Sequence, residues 1–103
     1  MGYSLVITER ADELLDEIVY YLLYQLKNQQ AAEHLLTNID RVYTRLQENP
    51  YQFPESRDRF LRQMNYREAI LSEMKYVIFF RIENRTVYVV GIFHQLEDYP
   101  RKM

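Results

Sequence analysis

The chain contains no cysteine. Disulfides and thiolate metal sites are therefore excluded, and the composition suits a reducing compartment. Long apolar runs are also missing: nothing approaches the ~18 residues that a membrane span needs. The start, MGYSLVITER, has no basic segment followed by an apolar run, so no secretory signal is expected. Val6 stands where a myristoylation motif requires Ser or Thr. Histidine is scarce, with His34 and His94 far apart and no tight Asp/Glu/His cluster around either. A metal site is not expected, nor any cofactor. Repeats and low-complexity segments are absent. These absences point to a cytoplasmic protein with no membrane partner.

What remains is a 103-residue chain, 48% hydrophobic and with a formal net charge of -2. One domain over residues 1–103 is the simplest organisation. A chain this long buries roughly 60–70% of its unfolded surface, enough for one core. The charge is uneven. Residues 1–48 carry eight acidic and four basic side chains, whereas residues 49–103 carry seven acidic and nine basic. Six cations (Arg57, Arg59, Arg62, Arg67, Lys75, Arg81) face three anions between residues 57 and 81, a local basic region on an acidic body.

Residues 3–8, YSLVIT, favour a strand. Thr8 can cap a helix, with Glu9, Asp12 and Glu13 in a first turn where the dipole favours anions. Ala11, Leu14, Leu15, Ile18, Leu22 and Leu26 then follow at helical spacing. Asn28 is a turn residue, after which Ala32, Leu35, Leu36, Ile39, Val42, Tyr43 and Leu46 mark a second helix. Pro50 pushes Asn49 out of the helical region and ends it. Residues 51–60 read as a loop. Residues 66–71 are a strand, and residues 76–94 a strand pair joined at ENRT. The order β-α-α-β-β-β predicts an α+β fold of two layers: an antiparallel sheet with a helical hairpin on one face.

A two-residue turn at Asn84 and Arg85 pairs opposite positions whose numbers sum to 169. One face then collects Ile82, Val87, Phe80, Val89, Ile78, Gly91, Tyr76 and Phe93, and packs on the helices. The other pairs Arg81 with Tyr88, Phe79 with Val90, Val77 with Ile92, and Lys75 with His94. Arg81 and His94 are thus expected on one open face, an apolar floor with cations at its ends. Such a face reads as a binding surface for a partner chain or a polyanion. Arg67 shares it only if the SEM connection has three residues.

The ordered set YSLVIT-RA-ELL-EI--Y, the NP that closes the second helix, and YREAIL---KYVIFFRI---TVYVVGIFHQLEDY resembles the RelE/ParE superfamily of type II toxin–antitoxin toxins. The resemblance covers nearly the whole chain. For the RNase branch it implies ribosome-dependent mRNA cleavage, a metal-independent endoribonuclease reaction in which the substrate 2′-hydroxyl attacks the adjacent phosphate. Cations hold the phosphate, and an acid or base serves the leaving oxygen. By position in the family pattern, Arg67, Arg81, His94 and Tyr99 take the catalytic places. Lys75, from its pairing with His94 alone, and Arg62 are expected as substrate contacts. The ending HQLEDYPRKM also resembles the H-x-x-R-D ending of the ParE branch, with Glu97 where that branch has Arg. ParE-like toxins inhibit DNA gyrase without cleavage. The partners implied are a cognate antitoxin, with the ribosome and mRNA in one case and gyrase in the other. A weakly toxic member that mainly binds its antitoxin is a third reading, and the assembly is a homodimer or a hetero-oligomer with the antitoxin.

Overall fold

The computed structural model of the chain describes residues 2–71 and 73–96. Strand β1 (Ser4–Ile7) leads into helix α1 (Glu9–Tyr20), where the Thr8 hydroxyl accepts the Ala11 N–H at 3.2 Å. The helix widens into a π turn over Tyr21–Gln25. Lys27 then turns the chain at φ 50°, and Asn28 caps helix α2 (Gln29–Glu48) by accepting the Ala31 N–H at 3.0 Å. Asn49 leaves the helix in extended conformation, as its proline neighbour demands. Strands β2 (Arg67–Ile70), β3 (Tyr76–Glu83) and β4 (Thr86–His94) complete the chain, with Asn84 at φ 55° in the hairpin turn. The two-helix, four-strand order expected from sequence is present.

The sheet order is β1-β4-β3-β2, and the sheet is mixed. The expected antiparallel sheet holds for β2, β3 and β4, but β1 runs parallel to β4, with Ser4 opposite Thr86 and Ile7 opposite Val89. The reason is the connection. A parallel pair needs a long crossover, and everything from α1 to β3 lies between these two strands. The main core forms where Leu35, Ile39, Val42 and Leu46 of α2 meet Ile78, Phe80, Val87, Val89 and Ile92 of the sheet.

The hairpin register departs from expectation at one point. Pairs sum to 169 from Glu83 and Thr86 as far as Phe80 and Val89. Phe79 then lies opposite Gly91, so Val90 is an extra residue, a β-bulge. Beyond it every pair sums to 170: Ile78 with Ile92, Val77 with Phe93, and Tyr76 with His94. One inserted residue exchanges the faces of all that follows. Ile92 joins the helical side, Phe93 leaves it, and His94 moves across.

The second face is not open. Residues 51–60, expected to be a loop, begin with a 3₁₀ turn (Pro50–Gln52) and lead into a short helix, α3 (Arg59–Gln63). Asp58 caps it by accepting the Leu61 N–H at 2.9 Å. Leu61 packs with Val77, Phe79 and Phe93 in a second core, and all four are at most 1% exposed. The apolar floor read as a binding surface is therefore interior. Leu61, from a polar segment too brief to show periodicity, covers it with Tyr66 packed beside it.

Candidate functional site

Arg81 projects from the α3 side of β3, opposite Tyr88. Its guanidinium lies 4.6 Å from the centre of the Tyr88 ring and pairs with Glu83 two residues on. The strand alternation that carries Phe79 into the second core carries Arg81 to that core's margin, where its side chain is 33% exposed. It lies clear of the helical layer, as the sequence indicated, but a carboxylate and an aromatic face already engage it.

Arg67 lies on the other side. It stands opposite Phe80 on the edge strand β2 and so shares the helical face. Its Nη2 and Nε donate to the Phe53 carbonyl at 2.6 and 3.2 Å, and its guanidinium sits 5.3 Å from the Tyr51 ring centre. A cavity of about 270 Å³ opens beside it, lined also by Tyr51, Glu55, Asn65, Tyr66 and Ile82. The next residue, Glu68, opposite Phe79, is buried at 1% exposure on the second core's side. It accepts the Arg57 backbone N–H at 2.8 Å and its Nε at 2.9 Å. The register thus puts Arg67 on the helical face and Glu68 on the other.

His94 stands opposite Tyr76, with ring centres 5.4 Å apart and edge to face. Its Nδ1 accepts the Leu96 N–H at 3.1 Å. Tyr76 and the neighbouring Ile92 belong to the helical side, so His94 is on the face opposite Arg81. The expected shared face is corrected by the bulge at Val90. Lys75 likewise loses its expected place: the offset puts Tyr76, not Lys75, across from His94, and the Lys75 carbonyl accepts the Gln95 N–H at 2.8 Å. Arg62, on α3, donates from Nη1 to the Ser56 carbonyl at 3.3 Å. Tyr99 lies outside the described residues.

These groups do not converge. Arg81 lies five residues along β3 from Tyr76, the neighbour of His94, about 16 Å of strand. A sheet one residue thick separates the two side chains as well. Arg67 shares a face with His94, but two strands and four residues separate them, about 16 Å between backbones. A general acid must reach the leaving atom within hydrogen-bond distance of the group that holds the phosphate. Arg67 and Tyr51 form the tighter local constellation. Tyr51 escaped the sequence reading because it sits in a segment without periodicity. Among the described residues no group of three or more His, Asp or Glu side chains could hold a metal. Nor is any described helix long and apolar enough to cross a membrane.

The mixed four-stranded sheet with the α1–α2 hairpin on one face is the RelE/ParE fold of type II toxins. Residues 5–99 match the family model for the ParE toxin of the type II toxin–antitoxin system parDE, and the chain belongs to that family. A solved chain described as the chromosomal ParDE toxin–antitoxin system from P. aeruginosa superposes with a TM-score of 0.72. The two are 20% identical, over 89% of this chain and 95% of that one. A chain from the RelBE2 toxin–antitoxin complex of Mycobacterium tuberculosis superposes with a TM-score of 0.61 at 14% identity, over 94% and 95% of the two chains. At these identities the likeness concerns the fold. No curated protein sequence matches the chain.

Proposed function

We propose that this chain is the toxin of a type II toxin–antitoxin pair, held inactive by a cognate antitoxin, and that it arrests growth by binding DNA gyrase rather than by cutting mRNA. The observation that carries this reading is the placement of Arg81 and His94 on opposite faces of the sheet. The cleavage reading assigned those two groups to one phosphate. The mild negative charge of -2 supports the same choice, since a ribosome-bound nuclease gains affinity from strong positive charge. The ParE family match over residues 5–99 supports it too. On this reading the toxin acts as a ligand of its target, with no chemistry of its own and no cofactor.

The deciding experiment is induction of the toxin alone in bacteria, followed by parallel assays of DNA and RNA. Gyrase-linked DNA breaks with intact transcripts, and inhibition of supercoiling by the purified protein, are the expected results. Codon-positioned transcript cleavage that Arg81→Ala or His94→Ala abolishes would instead establish the nuclease and overturn the proposal. Co-purification with the product of the adjacent reading frame tests the antitoxin.

A further inference from the structure

A groove of about 300 Å³ opens between α1 and the end of β4, away from both arginines discussed above. Ile92 is buried at its base, and Leu14, Ile18 and Tyr76 are half-buried along it. Glu17 and Tyr21 are exposed at its mouth. The bulge at Val90 makes this groove, because it turns Ile92 toward α1. The groove is thus an apolar trough with a carboxylate and an aromatic ring at its opening and the half-buried His94 imidazole along the β4 side.

Its surroundings on α1 are predominantly negative. Helix α1 has five acidic side chains (Glu9, Asp12, Glu13, Asp16, Glu17) and one basic, Arg10, a balance of -4, and all six are exposed. Arg10 pairs with Glu13 at 3.8 Å, whereas Glu17 has no ion pair among the described residues. The end of α1 and the π turn that follows expose Tyr20, Tyr21 and Tyr24, each at 49% or more, with the Tyr20 and Tyr24 ring centres 4.8 Å apart. Single π turns recur at functional sites.

Different occupants fit this setting unequally. An acidic segment would meet the negative field of α1. A purely apolar side chain would fill the trough but leave Glu17 and the tyrosines unused. A long cationic side chain uses both the trough and its mouth. Its methylenes lie on Leu14, Ile18 and Ile92, while its head reaches Glu17 and the face of Tyr21. A guanidinium suits this better than an ammonium, because it is planar, stacks on rings and is less strongly hydrated.

We infer that this groove seats an arginine side chain presented by a basic segment of the toxin's protein target. The inference rests on the reading that the toxin acts by binding a protein. It names the chemistry that the target offers.

Titration of the purified, isotopically labelled toxin with capped nonapeptides tests it. One peptide carries a central arginine flanked by lysines; two others replace that arginine by citrulline or by glutamate. Saturable shifts of the Leu14, Ile18 and Ile92 methyl signals are expected with the arginine peptide, and weaker ones with citrulline. Glu17→Gln should weaken binding about fivefold or more, with a similar loss for Tyr21→Ser. Glu33→Gln, the same charge change at an exposed position on α2, should leave it within about twofold. Absence of saturable shifts overturns the inference. So do equal losses for Glu17→Gln and Glu33→Gln, preference for the glutamate peptide, or self-association of the toxin through these same methyls. A failed gyrase assay leaves this titration readable, and a failed titration leaves the gyrase assay standing.

Discussion

His94 lies directly across from Tyr76, edge to face at 5.4 Å, and that pairing fixes the imidazole on the helical side of the sheet. Arg81, five residues along the same β3 strand, points the other way and lies over Tyr88 at 4.6 Å. β3 is regular, so alternation sets Tyr76 and Arg81 on opposite faces, and the bulge at Val90 puts His94 with Tyr76. Chemistry that needs a guanidinium and an imidazole at one phosphate has no common face on which to occur.

Arg81→Ala should leave the fold intact. Its ion pair with Glu83 and its contact with Tyr88 are both partly exposed. Their joint loss costs about 1 kcal/mol or less. Urea denaturation checks this, and a cost above about 3 kcal/mol would mean that Arg81 is structural.

Leu61→Ala should destabilise the protein by about 3 kcal/mol, because the side chain is fully buried against Val77, Phe79 and Phe93. The same variant should gain binding of an apolar dye, as the second face loses its cover. Unchanged dye binding with unchanged stability would show that α3 does not seal that face.

Glu68→Ala removes the acceptor of two Arg57 donors, one of them backbone, at a position 1% exposed. The expected cost is about 2–4 kcal/mol, and Glu68→Gln should cost less because one oxygen remains to accept. Equal losses in the two variants would place the cost in packing rather than in hydrogen bonding.

Gly91→Ala tests the bulge. A Cβ there would lie 2.8 Å from Cε2 of the buried Phe93 ring and 3.5 Å from Cδ1 of Leu14. The Phe93 ring, 1% exposed, must shift to admit it, so a loss of about 1–3 kcal/mol is expected. Thermal unfolding of the variant measures it; wild-type stability would mean that the hairpin can repack around the extra residue.

Tyr43 supplies the alkaline limit. Burial first, then the nearby Asp12 and Asp40 carboxylates, push its hydroxyl from 10.0 up to about 12. The folded state therefore resists ionisation that the unfolded chain undergoes from pH 10 upward. Its contribution is whole below pH 10 and is lost as pH rises toward 12, on the order of 2 kcal/mol. Stability measured from pH 9 to 12 should fall more steeply in wild type than in Tyr43→Phe, and identical slopes would dismiss the assignment.

Much of this molecule follows from the order of its residues. The helical stripes of α1 and α2, the Thr8 cap, the stop at Pro50 and the turn at Asn84 all express local physics: 3.6-residue periodicity, capping hydrogen bonds and tolerance of positive φ. The assignment to the toxin superfamily rested on that order, and the family match and superpositions agree with it. Two features were decided only in three dimensions. The extra residue at Val90 reversed the faces of Ile92, Phe93 and His94; Gly91 beside it is the one local hint of a bulge, since a glycine inside a strand often marks one, but it does not say which residue the ladder skips. The burial of the second face came from Leu61, whose worth depends on what lies beneath it after the chain has folded. Strand parity is a running count, so a single insertion carries through to the end, and the candidate site stood at the end.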